Sequence, residues 1–239
     1  MTAQHGDRSL GSIAVVIAAA GRGTRLGGAS PKALERICGS TLLDYCLDTV
    51  SELPGLGVVV VAAPPSHLDD VRAICSRVSG LPIAVVAGGA SRPESVANAL
   101  AELPDGVEVV LVHDAARAFT PVEQFLAVID AVAAGAKAVV PGVAIVDTIK
   151  EVDDSGTVLR TVDRTTLRGV QTPQGFDRET LVAVHADVSL SAATDDAGMV
   201  EASGGAVQII VGHQDAFKIT TPFDRTVAEA LVASRNGAN

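Results

Sequence analysis

Residues 13–35 read IAVVIAAAGRGTRLGGASPKALE, and this stretch decides the fold. From Ile13 to Ala20 the side chains are apolar without alternation, as in a strand buried on both faces. The run breaks at Gly21-Arg22-Gly23-Thr24-Arg25-Leu26-Gly27-Gly28, which holds four glycines in eight residues. Glycine permits positive φ and lets the backbone approach a ligand closely. Consecutive backbone N–H groups in such a turn form an anion nest. Between Arg22 and Arg36 stand four basic residues and one acid, Glu35, in a chain whose net charge is −10. A glycine nest with flexible cations after a first strand predicts binding of a polyanion such as a nucleoside triphosphate. The plain alternative is a solvated glycine-rich turn. Two familiar phosphate loops do not fit. The dinucleotide fingerprint wants a small residue where Leu26 stands, and the P-loop wants Gly-Lys-Ser/Thr where the chain has Pro31-Lys32-Ala33. Pro31 removes a backbone donor and disfavours a helical Ser30. Lys32 is therefore expected at the start of a new element, aimed back at the loop.

Outward from this stretch the chain alternates. Helices are expected at Leu42 to Leu53, Leu68 to Val78, Ser91 to Leu103 and Pro121 to about Ala134. Strands are expected at Gly57 to Ala63, Pro82 to Ala87, Val107 to His113 and Lys137 to Val140. Ser91 with Glu94 has the form of a capping box. Apolar strands alternating with helices predict an α/β fold, a mostly parallel sheet covered on both faces. Ligands of such sheets gather outside the carboxyl ends of the strands. The glycine loop, Gly88-Gly89 and Asp114 to Arg117 should therefore meet on one rim. Beyond residue 142 the alternation changes. Val143 to Lys150 and Thr157 to Asp163 flank Asp153-Asp154-Ser155-Gly156, a hairpin with suitable turn residues. The chain should return through Gly169 to Thr172, a helix near Arg178 to Ala186 and another from about Asp195. Strands at Ala206 to Val211 and Phe217 to Thr220 and a helix from Pro222 complete it. This reads as one domain over 11–236 with an arm at about 143–167. Residues 1–10 read as a disordered lead-in.

Composition narrows the function. The net charge of −10 opposes an extended nucleic-acid face. Tryptophan is absent and aromatics are 3%, which removes stacking platforms for single strands. No run has the length and apolarity of a membrane span, and the N-terminus lacks the form of a signal peptide. Of the three cysteines, Cys46 and Cys75 read as buried thiols, which suits a cytoplasmic protein. No Ser/His or Cys/His pairing stands out, and the histidines are scattered.

The segments AAAGRGTRLGGASPKALE, GGASRPESV, LVHDAARAF, DTIK, TVDR, QTPQGF, TDDAGMVE and DAFKITTPFD occur in that order. Together they resemble the 2-C-methyl-D-erythritol 4-phosphate cytidylyltransferase family of non-mevalonate isoprenoid biosynthesis, over roughly Ile13 to Ala233. The resemblance implies a Rossmann-like, doubly wound nucleotidyltransferase fold and a homodimer built through the arm. It also implies a Mg2+-dependent transfer of cytidylyl from CTP to methylerythritol 4-phosphate. Arg25 and Lys32 match the groups that stabilise the transition state on the triphosphate. Arg164 and Lys218 match those that position the attacking phosphate. Ala19, Ala20, Gly21, Gly23, Gly89, Ser95 and Ala115 match nucleotide contacts. Asp114, Arg117, Thr148 and Thr194 match substrate contacts, with Thr148 and Arg164 serving the neighbouring protomer. No protein ligand of the metal is implied. The chain departs from the family at Ala90, where an aspartate is frequent. Three other readings stay open: a cytidylyltransferase for ribitol 5-phosphate, an NAD(P)-dependent oxidoreductase, and a non-catalytic nucleotide sensor.

Overall fold

The computed structural model describes residues 12–21 and 30–237. The first strand, β1 (Ile13–Ala18), is followed by a short ribbon, β2 (Arg36–Ile37) and β3 (Ser40–Thr41), and by α1 (Leu42–Ser51). Then come β4 (Leu56–Ala63), α2 (Leu68–Cys75), β5 (Ile83–Ala87), α3 (Arg92–Leu100), β6 (Val109–Asp114), α4 (Val122–Ala133) and β7 (Ala138–Ala144). The second half holds β8 (Ile149–Val152), β9 (Val158–Val162), β10 (Arg168–Val170), β11 (Gln174–Asp177), α5 (Arg178–Ala186), α6 (Asp196–Ala202), β12 (Gln208–Val211) and α7 (Pro222–Gly237). Among the described residues no helix is long and apolar enough to cross a membrane.

Eight strands form one mixed, mostly parallel sheet. From one edge inward the order is β5, β4, β1, β6, β11, β7, with β10 antiparallel and β12 parallel to β7. The apolar strands predict this arrangement because each is covered twice. Val15 and Ile17 pack with Leu43 and Leu47 of α1, Val71 of α2, Phe125 and Val128 of α4 and Ala228 of α7. Ala14 and Val16 face the other way, against Val96 and Ala99 of α3, Leu181 of α5 and Met199 of α6. Burying both faces stabilises the sheet by about 25 cal/mol per Å² of apolar surface removed from water.

Register then sets the rim. Ala18 pairs with Ala62 on one side and Asp114 on the other, and Ala62 pairs with Val86. The four strands thus end in one row. The backbone ladder continues one step further, with the Ala19 N–H donating to Ala62 O, Gly88 N–H to Ala63 O and Ala115 N–H to Ala18 O.

Several expectations need correction. β11 is an antiparallel strand between β6 and β7, at Gln174–Asp177, where no strand is expected from the sequence. β7 runs on to Ala144, so Val143 and Ala144 belong to the main sheet and the hairpin begins at Ile149. The hairpin β8–β9 is antiparallel and forms its own two-stranded sheet. Its turn is closed by Asp153, whose carboxylate accepts from the backbone N–H groups of Ser155 and Thr157, with Gly156 at φ +83°. Phe217 to Thr220 is not a strand but an extended loop. Its backbone groups are taken elsewhere: Ile219 N–H donates to Ala116 O, and Thr220 N–H to the Asp224 carboxylate. The Ser91 cap forms, but Glu94 reaches the N–H of Ala90 rather than that of Ser91. Cys46 and Cys75 are buried, as expected, while Cys38 is exposed. Residues 1–10 lie outside the described residues.

Candidate active site

A cleft of about 1070 Å³ opens along the row of strand ends. One wall is Ala18–Gly21 with Pro31, Lys32 and Ala33. Pro31, at φ −55°, starts the tight turn Lys32–Leu34, and the Lys32 N–H donates to Gly21 O at 3.2 Å. That bond ties the backbone at Lys32 to Gly21, and Lys32 opens a new element, as the proline predicts. Another wall is Pro64–His67, the segment leaving β4. The third is Gly88–Arg92 with Ser95. Here glycine is demanded by packing: a Cβ at Gly88 would lie 2.4 Å from Ala20 Cβ, and one at Gly89 2.3 Å from Glu94 Cβ. The Ser95 hydroxyl accepts from Gly89 N–H at 3.1 Å and donates to Ser91 O at 2.8 Å, so it braces this turn from inside α3. Glu94 accepts from Ala90 N–H at 2.7 Å.

The last wall is Asp114, Ala115, Ala116 and Lys218. Asp114 ends β6 and is the one carboxylate among the described residues lining the cleft, beside the cations Lys32, Arg92 and Lys218. Its Oδ2 lies 2.7 Å from Lys218 Nζ and its Oδ1 3.3 Å from Arg92 Nε. Burial opposes its ionisation, but Arg92, Lys218 and Arg117 outweigh that and hold the carboxyl well below the usual range. Its backbone N–H donates to Thr172 Oγ1, which also contacts His113 Nδ1 at 3.0 Å. Burial pushes the His113 imidazole down to about 4, so it is a neutral packing group at pH 7.

The loop carrying Lys218 is anchored on both sides. Ile219 N–H donates to Ala116 O, and the Arg117 guanidinium donates to Ala216 O at 2.7 Å and Val170 O at 3.0 Å. Arg117 does not line the cleft; its groups hold the backbone that presents the lysine. Behind the wall, the Arg92 Nη1 lies 2.7 Å from Asp196 Oδ2, and Asp196 Oδ1 lies 3.0 Å from His185 Nε2.

Of the residues singled out from the sequence, the cleft gathers Ala19, Ala20, Gly21, Lys32, Gly89, Ser95, Asp114, Ala115 and Lys218. Thr148 and Arg164 are exposed at the base of the hairpin, where Arg164 donates to Val146 O. Thr194 is exposed just before α6. These three line no part of the described cleft. Arg25 and Gly23 lie outside the described residues. The sequence reading overlooked Arg92, Asp196, Thr172 and Gln174. A signal was present in Asp195-Asp196, because one aspartate suffices to cap a helix and the second calls for another partner.

Comparison with known proteins identifies relatives of this chain. A family model described as IspD, 2-C-methyl-D-erythritol 4-phosphate cytidylyltransferase, matches residues 13–234. A protein of that name from Streptomyces avermitilis is 45% identical over 232 residues, covering 93% of this chain and 92% of the relative. A bifunctional IspD/IspF enzyme from Clavibacter michiganensis is 49% identical over 229 residues; the match spans 95% of this chain and 56% of that longer protein. Among solved structures, the cytidylyltransferase of Thermus thermophilus superposes with a TM-score of 0.75 at 34% identity, covering 92% of this chain and 98% of that one. The synthase from Anaerococcus prevotii reaches a TM-score of 0.82 at 29% identity, covering 94% and 96%.

Proposed function

The chain belongs to the 2-C-methyl-D-erythritol 4-phosphate cytidylyltransferase family, and from that premise we infer that it transfers the cytidylyl group of CTP to 2-C-methyl-D-erythritol 4-phosphate. The products are the cytidine diphosphate derivative and pyrophosphate, in the non-mevalonate route to isoprenoids. One observation supports the chemistry most. Lys32 and Lys218, far apart in sequence, line the same cleft, at the strand ends where a nucleotide is expected.

A phosphate oxygen of the acceptor attacks the α-phosphorus of CTP. A new P–O bond forms, the bond to the β-phosphate bridging oxygen breaks, and pyrophosphate leaves with that electron pair. The nucleophile is anionic at pH 7, so no side chain need take a proton. The barrier lies in bringing two anions together and in the charge of the transition state, which positioned cations stabilise. We assign Lys32, with Arg25, to the triphosphate and Lys218 to the acceptor phosphate. Ala19, Ala20, Gly21, Gly23, Gly89, Ser95 and Ala115 are assigned to the nucleotide and Asp114 to the acceptor side; Arg117 serves that side by holding the loop that carries Lys218, and Thr194 is assigned to it from outside the described cleft.

The described residues do not build a resident metal centre. No three His, Cys, Asp or Glu side chains come together, and Asp114 already carries Arg92 and Lys218. A divalent cation fits better as part of the incoming CTP, held by phosphate oxygens and water. A cytoplasmic setting accords with the free cysteines.

The hairpin supports a homodimer within a single domain over about 11–236. Thr148 and Arg164 stand outside their own cleft, and Val146, Val152, Val158 and Leu159 are exposed apolar groups around them. Each hairpin would then serve the neighbour. Mixing inactive Lys218→Met and Arg164→Ala proteins tests this. Exchange of hairpins predicts recovered turnover, because one site of each mixed dimer keeps both residues; a mixture that stays inactive refutes the exchange.

The reaction itself is tested by pyrophosphate release across four nucleoside triphosphates with methylerythritol 4-phosphate and ribitol 5-phosphate. CTP with methylerythritol 4-phosphate is expected to be the fastest pair. Faster release with ribitol 5-phosphate would move the chain to the sister activity, and no release with any pair would refute transferase function.

A further inference from the structure

We propose that Asp196 is a positioning residue for the reaction, acting through Arg92 to hold Asp114 and Lys218 at the cleft wall. The inference rests on the cytidylyl-transfer reading above and assigns a part to Asp196, which does not line the cleft.

Asp196 is fully buried at the first turn of α6. It is not there to cap the helix. Asp195 is the N-cap, accepting from Gly198 N–H at 2.9 Å. Nor is stability an explanation, because a buried ion pair replaced by apolar groups of similar volume is often neutral or more stable. What the carboxylate does is form a close ion pair with the Arg92 guanidinium, Nη1 to Oδ2 at 2.7 Å without hydrogen-bond alignment, while Nε of the same planar group donates to Asp114 Oδ1 at 3.3 Å. A guanidinium spreads its charge over a planar group that can lie against two carboxylates at once, whereas an ammonium is a compact point charge. Asp114 in turn holds the Lys218 ammonium at 2.7 Å. The line His185–Asp196–Arg92–Asp114–Lys218 is thus continuous, from a buried helix end to the cleft.

The far end of this line is itself clamped. Gln174 of β11 donates from Nε2 to Asp195 Oδ2 at 2.6 Å and accepts at Oε1 from Ala197 N–H at 3.1 Å. His185 of α5 contacts the remaining Asp196 oxygen at 3.0 Å. These bonds fix the start of α6, and with it the carboxylate that faces Arg92. Arg92 also opens α3, directly after the Gly88–Ser91 turn. It joins the nucleotide wall to the wall that carries Lys218, so its placement sets one substrate's cations relative to the other's. When Lys218 leaves Asp114 for an incoming phosphate, Arg92 remains to neutralise the carboxylate.

Asp196→Asn keeps the shape and the hydrogen-bonding reach of the side chain but removes its charge. Steady-state kinetics well below the unfolding temperature should show kcat lower by about 10²-fold, the typical cost of a small misplacement of reacting groups, with CTP affinity by titration unchanged. Arg92→Lys should act in the same direction and supplies the test if the first variant folds poorly. In a Lys218→Met background, Asp196→Asn should add little, because its effect passes through that lysine. A merely structural Asp196 would lower thermal stability and leave kcat intact, or add its full effect to Lys218→Met; either result overturns the proposal. A wild-type chain that releases no pyrophosphate would instead refute the transferase reading, so the two failures are distinguishable.

Discussion

Replacing Lys218 by methionine is expected to lower kcat/KM for the acceptor by about 10²–10³-fold, the usual loss when one positioned donor is removed from a charge-developing centre. The lysine is well suited to this role. Its side chain is 43% exposed while that of Asp114 is 12% exposed, so the ammonium sits on the cleft side of the pair. The backbone around it is fixed by Arg117 and by Ile219 N–H, so the loop survives loss of the side chain. Arg92 stays to pair Asp114, which keeps the buried carboxylate from being stranded. Circular dichroism and thermal unfolding should therefore stay close to wild type while turnover collapses. Turnover near the wild-type rate would remove Lys218 from the mechanism.

The largest effect on stability is expected at Phe176. This residue of β11 is fully buried between β6 and β7 and belongs to the core on the α3, α5 and α6 face. Phe176→Ala removes a packed ring and leaves a cavity, a change that typically costs about 3–5 kcal/mol. In a chain of this size that lowers the unfolding midpoint by on the order of 10 °C. Neighbouring Gly175 faces the opposite layer, where α4 packs. A Cβ there would lie 2.2 Å from Val128 Cγ1, so α4 already rests directly on the strand. Denaturant unfolding monitored by fluorescence of a bound dye or by circular dichroism measures the loss. A shift of midpoint too small to resolve would mean that β11 contributes little to the core.

Phe176 also marks where the sequence is least legible. The parallel half of the sheet could be read directly, because Ile13 to Ile17, Val58 to Val61 and Val109 to Val112 are apolar runs that only a doubly covered strand requires. The convergence of Gly21, Gly88-Gly89 and Asp114-Ala115 on one rim followed from that. β11 could not be read, because Gln174-Gly175-Phe176-Asp177 has one large apolar residue and a glycine. Its identity as a strand comes from two neighbours that are distant in sequence. Phe217 to Thr220 misled for the converse reason. Its residues suit a strand, but its backbone partners are the 114–117 loop and the cap of α7. Within the site, Lys32, Gly89, Asp114 and Lys218 were legible through their motifs. Arg92 and Asp196 were not, since their pairing joins helices α3 and α6 across a long separation in sequence that no local pattern encodes.

The glycine pair at the end of β5 limits how the cleft can be reshaped. Positions 88 and 89 are closed to every substituent, since even a methyl group collides with Ala20 on one side and the stem of Glu94 on the other. A mutant library spread evenly over that turn would spend those two codons on misfolded clones. Variation is better placed at Ala90, Ser66 and His67, which border the same cleft and already carry side chains.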